Sequence, residues 1–147
     1  MYSPVKTCAD IEIRVLGPGD ESVIRALQTY DGDGDPEGLL ADPHTLMLVA
    51  FDGQRPVGFV LAHDLPRRHG DRSGLFVYEV DVAATHRRRG IARALLERLA
   101  ELARERGIRQ GFVLTESDNA PANALYEALG GTVEGTDVVW KFAYTDN

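Results

Sequence analysis

An α/β (α+β) domain around one mixed, mostly antiparallel sheet is the fold class this sequence predicts, on three observations. Ile11 to Leu16 alternates apolar and polar residues, the period-two mark of a half-buried strand. Thr45 to Phe51 is a nearly continuous apolar run, as a central strand is, and Leu75 to Val82 is rich in the Val, Phe and Tyr that favour strands. Ile91, Leu95, Leu99 and Leu102 recur at helical spacing and draw one apolar stripe on a surface helix.

The remaining elements come in chain order. Gly17-Pro18-Gly19 breaks the first strand, and Asp20 caps a helix whose inner face is Val23, Ile24 and Leu27. Tyr30 to Gly38, rich in Gly and Asp, reads as loop. Asp52-Gly53 is a tight-turn signal joining Thr45–Phe51 to a partner strand over Val57 to His63. Gly107 ends the long helix, and Phe112 to Thr115 is a short strand. Asp118 or Asn119 caps a last helix with Pro121 in its first turn and Ala122, Leu125 and Leu129 on its apolar face. Gly130-Gly131 stops it, and Val138 to Tyr144 reads as a closing strand packed by Trp140 and Tyr144. With 147 residues and no linker, the chain is expected to form one domain over residues 1–147.

Composition excludes several classes. A hydrophobic share of 44% with 27% charged residues is globular and argues against disorder. The formal net charge of −7 argues against a free-standing nucleic-acid binder. No apolar run is long enough to span a bilayer, Met1 to Asp10 lacks a signal-peptide layout, and the single Cys8 makes no internal disulfide. A cytoplasmic protein without a membrane partner is the expectation. The charge is unevenly spread: Asp31 to Asp42 holds five acids and no base, whereas His86 to Arg109 holds eight arginines against three glutamates. That separation suits an anionic ligand beside a cationic one, and equally suits two solvated surfaces.

The informative segment is Tyr78-Glu-Val-Asp-Val82, Ala83 to His86, then Arg87-Arg-Arg-Gly-Ile-Ala92: a strand, a short loop and a helix start. A first helical turn presents unbonded N–H groups and the positive end of the dipole. Gly90 and Ala92 remove bulk there, and Arg87, Arg88, Arg89 and Arg93 add positive charge. The spacing is that of neither a P-loop nor a dinucleotide fingerprint. The residue types alone fit a phosphate cradle and a solvated Arg-rich helix start equally.

Arg87-x-x-Gly90-x-Ala92 after Val80-Asp-Val82 resembles the first signature of the GNAT superfamily of N-acetyltransferases. Asn119-x-x-Ala122-x-x-Leu125-Tyr126 with Gly130 resembles its second motif. The resemblance implies a sheet of about six to seven strands flanked by about four helices. It also implies acetyl-coenzyme A as co-substrate without a metal: pantetheine along Val80, Asp81 and Val82, pyrophosphate on Arg87, Arg88, Arg89, Gly90, Ile91, Ala92 and Arg93, with Asn119 also at the coenzyme. Homodimers are common among such proteins. Phe76 to Ala92, Ala124 to Gly130 and Gly38 to Phe51 look like the class I aminoglycoside 3-N-acetyltransferases, which implies a cationic deoxystreptamine amine as acceptor. Two positions depart from the usual pattern: Asp81 stands where a small residue is usual, and Gly131 where an aromatic residue is often found.

Amine acetylation needs a base for the ammonium, a donor for the developing oxyanion and an acid for the leaving thiolate. Glu79 is the candidate base, with Asp81 as the rival. Strand parity predicts Glu79 and Asp81 on one face, with Tyr78, Val80 and Val82 on the other. The resemblance makes Tyr126 the acid and the Val80 N–H the oxyanion donor. Asp31, Asp33 and Asp35, with Glu79 and Asp81, are candidates for holding a cationic substrate. The same acids only partly match a calcium loop, since Pro36 stands where the turn needs Gly. His44, His63, His69 and His86 lack metal spacing and read as structural or surface residues.

Overall fold

A computed structural model describes residues 10–27, 30–66, 68 and 74–145. The described residues fall into two compact units that divide after Leu114. The first holds a five-stranded mixed sheet in the order β1 (Ile11–Val15), β2 (Thr45–Asp52), β3 (Arg55–Leu65), β4 (Gly74–Val82), β5 (Gln110–Val113). The first four strands pair antiparallel, and β5 joins β4 in parallel after the crossover through α3 (Ile91–Glu105).

Two apolar layers sandwich the sheet. On one face Ile91, Leu95, Leu99 and Ala103 of α3 pack on Leu46, Leu48, Ala50, Val60, Ala62 and Leu75. The stripe thus closes on Ala103, with Leu102 only partly buried beside it. Gly107, at φ 75°, ends α3 as expected. On the other face α1 (Glu21–Arg25) and α2 (Pro36–Ala41) contribute Ile24 and Leu40 to a cluster with Leu27, Met47, Val49, Phe51, Phe59 and Leu61. Helix α2 begins inside the stretch expected to be loop. Asp35 accepts a 3.0 Å bond from the Gly38 N–H and Pro36 opens the first turn, an N-cap signature that the Gly/Asp composition of its neighbours hides. Asp20 precedes α1 without capping it through its side chain, and accepts from the Gly17 N–H at 2.9 Å instead.

The second unit contains α4 (Ala120–Ala128), capped by Asn119 as expected. The expected closing strand over Val138 to Tyr144 does not form: the sheet has five strands among the described residues, not six or seven. Trp140 and Tyr144 are 80% and 92% exposed instead of packed. An apolar, β-branched and aromatic run favours a strand only where a neighbour completes the hydrogen-bond ladder, and this segment has no strand partner among the described residues.

Candidate active site

Beyond Val77 no strand among the described residues pairs with the β5 side of β4. The Ala83 N–H donates to the Val57 carbonyl at 2.8 Å, and the same register sets Asp81 opposite Phe59 and Glu79 opposite Leu61. Bonding direction alternates along an antiparallel pair. The main-chain groups of Glu79 and Asp81 therefore face β3, while those of Val80 and Val82 face the other edge. Along that edge β5 pairs only from Gly74 to Val77. The N–H and C=O groups of Val80 and Val82 are thus directed into the opening between β4 and β5, which is where the sequence motif expects pantetheine and an oxyanion donor.

The side chains divide as parity predicts, with one exception. Val80 and Val82 pack against the α3 core. Glu79 and Asp81 share the opposite face with their cross-strand partners Leu61 and Phe59, the face covered by α1 and α2. Asp81 lines a shallow cavity there with Leu27 and Phe59. Tyr78 is the exception. The register shifts between Leu61 and Ala62, so that Glu79 and Val77 oppose consecutive β3 residues and Tyr78 is bulged out. Its ring meets Phe76 and His63 at 5.5 and 5.8 Å between centroids, away from the Val80 and Val82 side. A bulge inserts one residue and resets the parity, and no turn residue within β4 announces it.

The turn after β4 is built from unusual backbone. Arg88 has φ 64° and Gly90 φ 77°, two left-handed residues within three positions. Gly90 is the N-cap of α3 and supplies no capping side chain, the kind of helix start whose first turn can receive an anion. Ile91 is buried in the core and contributes only its main chain to that turn. The arginines differ in what they touch. The Arg87 Nε donates to the Val82 carbonyl at 3.1 Å, and its Nη2 lies 4.0 Å from Asp81 Oδ1. Arg93 pairs with Glu97 along α3 at 2.9 Å. Arg88 and Arg89 complete the basic rim of the turn.

In the second unit, Asn119 Oδ1 accepts from the Ala122 N–H at 3.2 Å, so the side chain expected at the coenzyme caps α4. Asn123, which the sequence did not single out, donates to the carbonyls of Glu116 and Asn119 at 3.1 and 2.8 Å and braces the loop before the helix. Tyr126 is half-buried, and burial raises its phenol above the ordinary value of 10.0, which keeps it protonated.

The acidic loop is partly committed to its own structure. Asp31 Oδ1 accepts from the Asp33 N–H at 2.9 Å, and Asp35 caps α2. Arg25 and Glu37 pair across the loop, and that bond holds the Glu37 carboxyl below the usual carboxylate range. No three His, Cys, Asp or Glu side chains among the described residues group as a metal site. His44 lies 3.9 Å from Asp64, and His86 is buried. Cys8 and His69 fall outside the described residues.

Gly58 carries no motif in the sequence, yet it lies at a close approach. A Cβ there would meet the Asp81 carbonyl oxygen at 3.1 Å, Val82 Cγ2 at 3.2 Å and Ile91 Cγ2 at 3.4 Å. An isolated glycine inside a strand pattern is the signal for such a contact.

The profile of the acetyltransferase (GNAT) family matches residues 18–131, and the chain belongs to that family. It is 31% identical over 107 residues to streptothricin acetyltransferase of Streptomyces lavendulae, a match covering 73% of this chain and 54% of that one. Among solved structures it resembles an aminoglycoside acetyltransferase from an uncultured soil metagenomic sample, at TM-score 0.77 and 29% identity over 90% of this chain and 99% of the other. The ribosomal-protein-alanine N-acetyltransferase of Brucella melitensis biovar Abortus is similar at TM-score 0.72 and 28% identity, again over 90% and 99%. The mixed sheet with its α3 crossover is thus the GNAT fold. No helix among the described residues is long and apolar enough to cross a membrane.

Proposed function

We propose that the chain is an acetyl-coenzyme A-dependent N-acetyltransferase whose acceptor is an amine of an aminoglycoside, the 3-N position of the deoxystreptamine ring. The observation that carries the reading is the outward-facing main chain of Val80 and Val82 leading into a glycine-capped, arginine-rimmed helix start. A long anionic thioester suits both parts: an extended arm along a strand edge, and phosphates at the positive end of a helix. The family profile runs across the division after Leu114, in keeping with a single acetyltransferase domain over residues 1–147.

The coenzyme would supply an acetyl thioester, held by Arg87, Arg88, Arg89 and the α3 first turn. Glu79 takes the proton from the acceptor ammonium, directly or through water, freeing the nitrogen lone pair. The nitrogen bonds to the acetyl carbon as the carbon–sulfur bond breaks. The Val80 N–H donates to the carbonyl oxygen as its charge grows, and Tyr126 gives its proton to the departing sulfur. The second proton, shed by the newly acylated nitrogen, returns to the Tyr126 oxygen through water. Asp81, Asp31, Asp33 and Asp35 favour a polycationic acceptor by charge.

The experiment is thiol release from acetyl-coenzyme A with deoxystreptamine aminoglycosides, spermidine and an alanine-terminated peptide as acceptors. Turnover with the aminoglycosides, with the product acetylated on the 3-amine, is the expected result. The similarity to a ribosomal-protein-alanine acetyltransferase favours a second reading, a peptide N-terminus, and turnover with the peptide alone would replace the first.

A further inference from the structure

We propose that Asp52 and His86 are a positioning pair for the coenzyme: the end of the β2–β3 hairpin holds, through the buried imidazole, the turn that receives the pyrophosphate. This rests on the reading of Arg87 to Ala92 as the pyrophosphate site. His86 is 7% exposed and is the one buried polar side chain among the described residues. Its Nε2 lies 2.9 Å from Asp52 Oδ2 and its Nδ1 lies 2.8 Å from Thr85 Oγ1. A carboxylate only accepts, so Nε2 carries the hydrogen that Asp52 receives. The His86 main-chain N–H donates to the Ala83 carbonyl at 2.8 Å. Side chain and main chain are therefore both held, and the ring has one orientation.

The backbone just past His86 needs that support. Arg87 is extended, Arg88 adopts a left-handed conformation that a side chain disfavours, and Gly90 is left-handed again. Backbone of this kind persists where its surroundings over-determine it. Upstream, the Ala83 N–H is tied to Val57 of the same hairpin. The two ties thus fix the short turn over residues 83–86 at both ends, and the His86 tie adjoins the arginines, beside the Arg87 Nε bond to the Val82 carbonyl. Without the His86 tie the extended and left-handed backbone of Arg87 and Arg88 loses its buried anchor, while Gly90 stays joined to α3 through the Ala94 N–H, and the coenzyme must order that segment as it binds. That loss belongs to binding and not to the chemical step, because neither side chain reaches the reacting atoms in this reading.

The test compares Asp52→Ala and Asp52→Asn with the wild type, by calorimetric affinity for coenzyme A, kcat at saturating coenzyme, and melting temperature. Asn keeps an oxygen that accepts from Nε2–H, and Ala does not. The expected result is coenzyme binding about tenfold weaker in Asp52→Ala, restored to within about twofold in Asp52→Asn, with kcat within about twofold throughout. A folded Asp52→Ala that binds coenzyme A like the wild type overturns the pair, since a merely structural contact would cost melting temperature alone. Asp52→Asn as weak as Asp52→Ala also overturns it. Should Asp52→Ala fail to fold, Asp52→Ser suits a hairpin end, cannot reach the imidazole, and carries the same expectations. A wild type that binds no coenzyme A fails at the site reading itself, before any variant is compared.

Discussion

The Arg87 Nε donates to the carbonyl of Val82 at 3.1 Å, joining the first arginine of the turn to the last residue of β4. This side chain shapes the site as well as charging it. Arg87→Lys keeps the charge and loses the planar fork that makes the bond. An exposed hydrogen bond of this kind contributes about 0.5–1 kcal/mol, so the KM for acetyl-coenzyme A is expected to rise about two- to fivefold at constant kcat. Steady-state kinetics check this, and an unchanged KM would reduce Arg87 to its charge.

Gly58→Ala tests how closely β3, β4 and α3 meet. The new methyl would lie 3.1 Å from the Asp81 carbonyl oxygen, a main-chain atom held in the sheet, and 3.4 Å from Ile91 Cγ2. Overpacking costs about 1–3 kcal/mol, against roughly 0.5–1 kcal/mol gained by replacing a strand glycine. Net destabilisation in denaturant unfolding is expected, with a raised KM for acetyl-coenzyme A because the end of β4 must shift.

The acidic loop is separable from its structural work. Asp35→Asn preserves the α2 cap while removing the charge, whereas Asp35→Ala removes both and costs about 1 kcal/mol. In the double variant Asp33→Asn, Asp35→Asn the fold is expected to stay within about 0.5 kcal/mol of wild type. The KM for a polycationic acceptor rises, more at low salt than at high, and turnover falls less. Acceptor titrations at two salt concentrations decide it.

Much of this arrangement is legible in the residues. The stripe Ile91, Leu95, Leu99 sets α3, and the apolar runs of β2 and β4 set the centre of the sheet, because burial imposes a period that composition cannot hide. The glycine and arginines at the helix start are equally plain. What escaped is long-range or local exception. The His86–Asp52 contact joins residues 34 apart, and no pattern along the chain reports such a pairing. The bulge at Tyr78 changes parity without a glycine to mark it. Asp35-Pro36 is a cap that looks like more loop. The run Val138 to Tyr144 has strand chemistry, and chemistry without a partner strand does not make a ladder.

In the proposed reaction Tyr126 is the acid, and burial raises its pKa. Because the folded value lies above 10.0, the contribution to stability is present below that pH and is lost as pH rises through the raised folded value. Melting curves between about pH 9 and 12 should therefore fall for the wild type more steeply than for Tyr126→Phe. The same variant is expected to lower kcat by about 100-fold or more, the usual range for losing a general acid. No alkaline fall in kcat below pH 10 should trace to this group.

In the proposed reaction a base on the Glu79 and Asp81 face of β4 deprotonates an amine beside a thioester held along the outward-facing main chain of Val80 and Val82. Thiol release from acetyl-coenzyme A at saturating coenzyme and acceptor, compared between wild type, Glu79→Gln and Asp81→Asn, tests it most directly. The expected result is a loss of about 100-fold or more in Glu79→Gln, with coenzyme affinity unchanged and a smaller loss in Asp81→Asn. Wild-type turnover in Glu79→Gln would contradict the assignment, and a large loss confined to Asp81→Asn would move the base two residues along the strand.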